Sequence, residues 1–314
     1  MSYNFLITGC KFTEKKAVLY AVDFETGEKQ QLLEYGGIKG INENVAFTHA
    51  TLLDNALYLC TRTEVLIYSF PELQLRQHFT HRLFNDVHHI EVIDDRVYVV
   101  STGIDAVLSF SNETFVLLEH ISLRKENICN GYPKECDFRK INTEPHQIHP
   151  NYVFQWQDKI FVSRFNQEDI VNIHNHAERY EINSGSRIHD GIVNGQNIYL
   201  TTIDGTVKVL KPKENEAALY MDMNQAENSK YPLGWCRGLS IDEDFIYVGF
   251  SRFRHMKLVS GPFLGCYSRY GEDLKSFDEK PTRVTQYNRV RKEKCGELVF
   301  DKNELSNIYS IIRY

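Results

Sequence analysis

Residues 87–100 read VHHIEVIDDRVYVV. Ile90–Ile93 is a short strand. Asp94-Asp95 is a tight acidic turn, and Arg96–Val100 is a second strand of β-branched and aromatic residues. Forty residues earlier the chain reads HATLLDNALYLC, which aligns from His49 with HIEVIDDRVYVV from His89 without a gap. Asp54-Asn55 matches Asp94-Asp95, and Leu57-Tyr58-Leu59 matches Val97-Tyr98-Val99. Two further strand patterns follow each copy, VLIYSF and LQLRQHF in one, AVLSFS and FVLLEHISL in the other. In this alignment His89 is the repeated position and His88 its flanking residue.

The unit recurs along the chain. A third copy, HQIHPNYVFQWQDKIFVSRF, has His149 at the repeated place with a longer spacing, or His146 as the alternative. A fourth, HDGIVNGQNIYLTT, starts at His189 and is read with one extra turn residue between Asn194 and Asn197. In the fifth, RGLSIDEDFIYVGFS, Arg237 replaces the histidine. GELVFD and NIYSIIRY read as the end of that unit. Residues 3–35 carry strands with no inner strand of their own, NFLITGC and AVLYAVDFETGEKQQLLEY. Four short strands every 40 residues or so are the mark of a β-propeller. The period-two alternation excludes an amphipathic helix. The expectation is an all-β, six-bladed propeller, with five blades the alternative, its ring closed by strands from both chain ends. It forms one domain over residues 1–314, with insertions at about 124–145 and 252–293.

The 314 residues carry a net charge of −6, with 42% hydrophobic and 25% charged residues. This is ordinary globular composition. The acidic balance leaves no overall footprint for nucleic acid. MSYNFLITGCKF has no basic-then-apolar leader, and no apolar run reaches the length of a membrane span. Seven scattered cysteines lack a zinc-knuckle spacing. A cytoplasmic protein with free thiols is expected, with no membrane and no nucleic-acid partner. Its oligomeric state is left open. No glycine-rich phosphate loop is present, so no nucleotide cofactor is expected.

The inner strand of a blade lines the central channel, so residues one repeat apart become neighbours around one funnel. His49, His89, His149 (or His146) and His189 are therefore candidate ligands for a divalent metal, with Fe, Mn, Zn and Cu all open. Arg237 is the candidate anchor for an anionic substrate. Asp190 is a candidate ligand, orienting partner or base. Arg164, Arg252 and Arg254 lie in or beside loops that open on the histidine face, and Trp235 is a candidate aromatic wall. In the competing reading the histidines hydrogen-bond between blades and the arginines form surface ion pairs.

The strand spacing resembles the six-bladed propellers of the NHL, strictosidine synthase and gluconolactonase type. RIHDG (187–191) and WCRGLSIDEDFIYVGFSRFR (235–254) are more similar to an uncharacterised group of bacterial propeller-like proteins. That group carries His-Asp near an inner strand, and Arg-Gly-Leu followed by Val-Gly-x-Ser-x-x-Arg. The resemblance implies a propeller and no particular activity. The resulting expectation is a metal-dependent enzyme acting at the channel mouth on a small anionic or polar substrate, whether as lyase, hydrolase or oxygenase. The alternative is a non-catalytic binding or scaffold propeller.

Overall fold

In the computed structural model the described residues are 3–41, 45–182, 185–252 and 280–314. They form six four-stranded antiparallel sheets arranged as the blades of a propeller. Blades 2 to 5 each take four consecutive strands. Their inner strands are His49–Leu53, Val87–Ile93, Pro150–Trp156 and Ile188–Asn194. Blade 6 begins with Trp235–Ile241. Blade 1 consists of Phe5–Lys11, Lys16–Val22 and Lys29–Tyr35, and its inner strand is the C-terminal Asn307–Arg313.

NIYSIIRY closes blade 1, as the expected closure by strands from both chain ends requires, and does not finish blade 6. One detail departs from the sequence reading. Thr282–Asn288, inside the expected 252–293 insertion, is the third strand of blade 6, and Lys294–Phe300 is the fourth. The expected six blades are present.

Each inner strand packs on the next, and Asn307–Arg313 packs on His49–Leu53 to complete the circle. The blade faces carry alternating apolar residues and bury them against the neighbouring sheets. Tyr58, Ile67, Phe84, Val97 and Phe110 make one such seam between blades 2 and 3. Polar latches join the inner strands at recurrent places. Thr48 Oγ1 donates to the Val87 carbonyl at 2.7 Å, Thr102 Oγ1 to Pro150 at 2.6 Å, and Asn151 Nδ2 to Ile188 at 3.2 Å. Each acceptor is the first residue of an inner strand. At the closure Thr8 Oγ1 and Ser310 Oγ lie 2.7 Å apart, although 302 positions separate them. These bonds satisfy groups that would otherwise be buried without partners.

The insertion at 124–145 folds back over blades 2 and 3. Phe138 is buried in their seam, and Asn85 Nδ2 donates to the carbonyls of Phe138 and Ile141. Gly103 allows this, because a Cβ there would meet Asn85 Oδ1 at 1.7 Å. The insertion thus delivers residues 146–149 to the channel mouth.

Candidate functional site at the channel mouth

The inner hairpins set the register of everything above them. Leu53 pairs with Ala56, Ile93 with Arg96, Trp156 with Lys159 and Asn194 with Asn197. In blade 6 the Asp242 N–H donates to Phe245. All five turns therefore hold two residues. The extra residue of blade 5 is not in the turn, as the sequence suggested. It lies in the strand, where the ladder shifts between Ile188 and Gly191.

Counting four residues back from the turn gives His49, His89, Tyr152, Asp190 and Gly238. Counting five back gives Thr48, His88, Asn151, His189 and Arg237. The histidines grouped from sequence therefore belong to different registers. One residue of shift moves a strand side chain to the other face. The strand bulges add to the effect, with ladder shifts at Val87/His89, Pro150/Val153, Ile188/Gly191 and Arg237/Leu239.

Two groups result. In the first, the rings of His49 and His89 lie 3.7 Å apart, and His89 meets the Tyr152 ring edge-on at 4.5 Å. His89 is fully buried, with neither ring nitrogen hydrogen-bonded. In the second, His88 stands 5.1 Å from His149 and 5.9 Å from His189 by ring centroid. His146 Nδ1 is 3.1 Å from His149 Nδ1. Among the described residues, no group of three or more His, Cys, Asp or Glu side chains is arranged to hold a metal ion. The expected four-histidine set is divided between the two groups.

The second group is rich in charge. Asp86 Oδ2 lies 4.0 Å from His88 Nε2, and Asp86 Oδ1 lies 3.5 Å from Arg62 Nε. Burial opposes ionisation of Asp86, but His88 and Arg62 outweigh it and hold its carboxyl well below the ordinary range. Burial pushes His88 itself down to about 3, so Arg62 is the charge that remains beside Asp86. Tyr309 lies beside Arg62 and favours its charged form. The Arg237 guanidinium lies 4.7 Å from the Tyr309 ring and 5.7 Å from the Trp235 ring. Stacking of this kind fixes the plane of the guanidinium fork.

His189 and Asp190 form a pair. His189 Nδ1 lies 3.1 Å from Asp190 Oδ2, and that oxygen also accepts the Gly238 N–H at 2.8 Å. Burial works against the Asp190 carboxylate, yet His189, the Gly238 N–H and Arg237 bring it down to about 2. Burial, then Arg237, keeps His189 below its ordinary value, so the ring is neutral. With Nδ1–H on the carboxylate, the lone pair sits on Nε2, which is buried and makes no hydrogen bond.

The remaining sequence candidates fall elsewhere. Arg164 is not open to a ligand. Its Nε and Nη2 reach the two oxygens of Asp169 at 2.7 and 2.5 Å, with Asp169 1% exposed. We expect Arg164→Ala to cost about 3 kcal/mol of stability in urea melts, because it leaves a buried carboxylate with only the longer 3.5 Å ion pair to Arg179. Ligand binding at the mouth should not change. A loss under 1 kcal/mol would refute the pairing. Arg252 donates its backbone N–H to Thr282 Oγ1 at 3.2 Å. Arg254 lies outside the described residues. His88, Asp86 and Tyr309 were missed as site residues. The signal for His88 was available in the constant two-residue hairpin, counted backwards.

No protein-family model and no curated protein matches the sequence. Solved structures match the fold. A protein of unknown function from Bacteroides caccae is similar with a TM-score of 0.65 at 10% identity, over 99% of both chains. A provisionally assigned 6-phosphogluconolactonase from Bacteroides fragilis aligns with a TM-score of 0.58 at 11% identity, over 100% of this chain and 98% of that one. The computationally designed Ika8 protein aligns at 0.51 and 9% identity, over 100% and 91%. No helix among the described residues is long and apolar enough to cross a membrane. The chain has the architecture of a six-bladed β-propeller.

Proposed function

We propose that the channel mouth binds a small anionic ligand and acts on it by acid–base chemistry of the hydrolytic kind. The carrying observation is His189, a buried neutral imidazole oriented by Asp190, with Nε2 making no hydrogen bond. Nε2 can take the proton of an attacking water, while Asp190 stabilises the imidazolium that forms. Arg237, stacked on Tyr309 and Trp235, holds the anion, and Arg62 adds positive charge beside it.

The test uses inorganic phosphate and 6-phosphogluconate in calorimetric titrations, and 6-phosphogluconolactone as a hydrolysis probe. The lactone is the substrate named for the Bacteroides fragilis protein, whose likeness is one of fold. Saturable binding should weaken at least tenfold in Arg237→Gln. A His189→Gln variant should still bind while losing 10²-fold or more of any turnover, as expected for removal of a general base. Binding that is absent, or unchanged in Arg237→Gln, sinks the reading. Binding without turnover of any probe supports the scaffold alternative.

A metal-dependent version rests on a narrower observation. His149 and His189 both neighbour His88, though as placed the three do not form a ligand set, and burial lowers the pKa of each, favouring the neutral ring that ligation requires. Elemental analysis of untagged protein decides it. Near-stoichiometric metal that disappears in His88→Ala/His189→Ala supports this version, and metal-free protein that still binds phosphate removes it.

A further inference from the structure

At the opposite end of the inner strands lies a cavity of about 630 Å³, where blades 5, 6 and 1 meet. Its wall includes the inner hairpin of blade 6, the Phe24-Glu25 turn of blade 1, and Arg313 at the end of the closing strand. Aromatic rings line one side. Tyr247 lies 5.2 Å from Phe24 and 6.4 Å from Phe245 by ring centroid, and 4.5 Å from Phe5 beneath. Phe5 and Tyr247 are buried, whereas Phe24 and Phe245 keep part of their surface.

The charges around the cavity divide into committed and uncommitted groups. Asp242 is saturated. Its Oδ1 accepts the Asp244 and Phe245 N–H groups, and its Oδ2 accepts the Tyr247 hydroxyl and Arg313 Nη1. Arg289 donates to the backbone carbonyls of Asp242 and Glu243 and to the Tyr220 hydroxyl, all neutral acceptors, so its positive charge offsets one of the rim carboxylates. Glu25, Glu243 and Asp244 are exposed at the rim, and among the described residues no ion pair engages them. Glu25, Asp242, Glu243 and Asp244 against Arg289 and Arg313 leave the cavity wall with two net negative charges, and aromatic rings form one side of it. Such a wall attracts a cation through the ring quadrupoles, and desolvation strengthens the effect. The volume suits a small organic molecule.

We propose that this cavity binds an organic ammonium ion, with the charged group between the Phe24 and Phe245 rings and the rim carboxylates. The site is independent of the channel mouth. Its ligand is opposite in charge.

Isothermal titration with spermidine and with N-acetyl-lysine methylamide tests the proposal. Saturable one-to-one binding is expected for at least one probe. The Glu243→Gln/Asp244→Asn variant should weaken it tenfold or more, and Phe245→Leu threefold or more. Both changes are at exposed or half-exposed positions, so unchanged melting curves will show that the fold survives. Tighter binding of spermidine identifies a free polyamine as the source, and tighter binding of the capped lysine identifies a protein side chain. Magnesium at matched charge concentration should not displace the bound probe. Absence of saturable heat, wild-type affinity in both variants, or displacement by magnesium would each overturn the proposal.

Discussion

Asp105→Ala is expected to cost the fold about 4 kcal/mol and to release the segment that carries His149. Asp105 is 1% exposed, at the left-handed end of the short 3-10 turn Thr102–Ile104. Its Oδ1 accepts the N–H groups of Ile148 at 3.1 Å and His149 at 2.8 Å, and its Oδ2 accepts that of Gln147 at 3.0 Å. The side chain thus ties blade 3 to the end of the insertion, just before the inner strand of blade 4 begins. Hydrogen bonds to a charged acceptor contribute roughly 1.5–3 kcal/mol each, and part of the loss is recovered when the half-buried loop is rehydrated. Urea melts measure the stability. His149 gives a second readout, since burial now holds its pKa well below the ordinary value and a released ring would titrate near 6.5 by NMR. Asp105→Asn keeps one acceptor oxygen and should lose about half as much. A loss below 1 kcal/mol in the alanine variant would show that the loop holds itself.

The second large effect is acid unfolding between pH 6 and pH 5. Burial is the leading cause of lowered pKa values at His49, to about 4, and at His88, to about 3. It also holds His89 and His149 well below 6.5 and lowers His189. In the unfolded chain these rings take up protons as pH falls through 6.5, while the folded rings stay neutral. Their stabilising effect is therefore complete above pH 6.5 and is lost below it. Between pH 7 and pH 5 each such ring removes up to about 2 kcal/mol. His49, His88, His89 and His149 together approach the whole stability of an ordinary domain, about 5–15 kcal/mol, and His189 adds in the same direction.

Glu91 acts in the opposite sense. Burial raises it to about 7. The unfolded carboxyl ionises above 4.5, so folding is penalised as pH rises from 4.5 to 7. That penalty fades in acid and returns at most about 2 kcal/mol, because the carboxyl keeps some exposure. Denaturation in urea at pH 8, 7, 6 and 5.5 should show a plateau followed by a steep fall. His89→Leu removes a ring with no hydrogen bond and should reduce the slope by about 1.4 kcal/mol per pH unit. A flat profile from pH 8 to pH 5.5 would refute the argument.

Much of the architecture is written locally. The turns Asp54-Asn55, Asp94-Asp95 and Gly195-Gln196 begin with a residue at positive φ, and Asp, Asn and Gly accept that conformation most readily. Strands on either side alternate with period two. Repetition at about 40 residues then requires stacked sheets. The need for an inner strand beside residues 3–35 pointed to the C-terminal strand, because a half-built blade leaves an open edge.

The site was less legible. His49 and His89 share a register, and the gap-free alignment found it. His189 looked like their equal only because the extra residue of blade 5 was placed in the turn. It lies in the strand instead, so Asp190 takes their register and His189 takes that of His88. His149 reaches the mouth from the insertion, held by Asp105, whose hydrogen bonds span 42 to 44 positions. Arg164 looked like a funnel residue, and its partner Asp169 sits only five positions away. Sequence alone could not tell whether their side chains would meet.

The VHHIEVIDDRVYVV stretch, with its repeats, was sufficient by itself to determine a propeller, its blade boundaries over most of the chain, and which end of the inner strands bears the histidines. Those features depend on local periodicity and turn chemistry. Only the tertiary structure decided which histidines face one another. An extra residue fits a turn or a bulge equally well in sequence, but in the sheet the ladder admits one register, and one residue of shift turns a side chain to the other face.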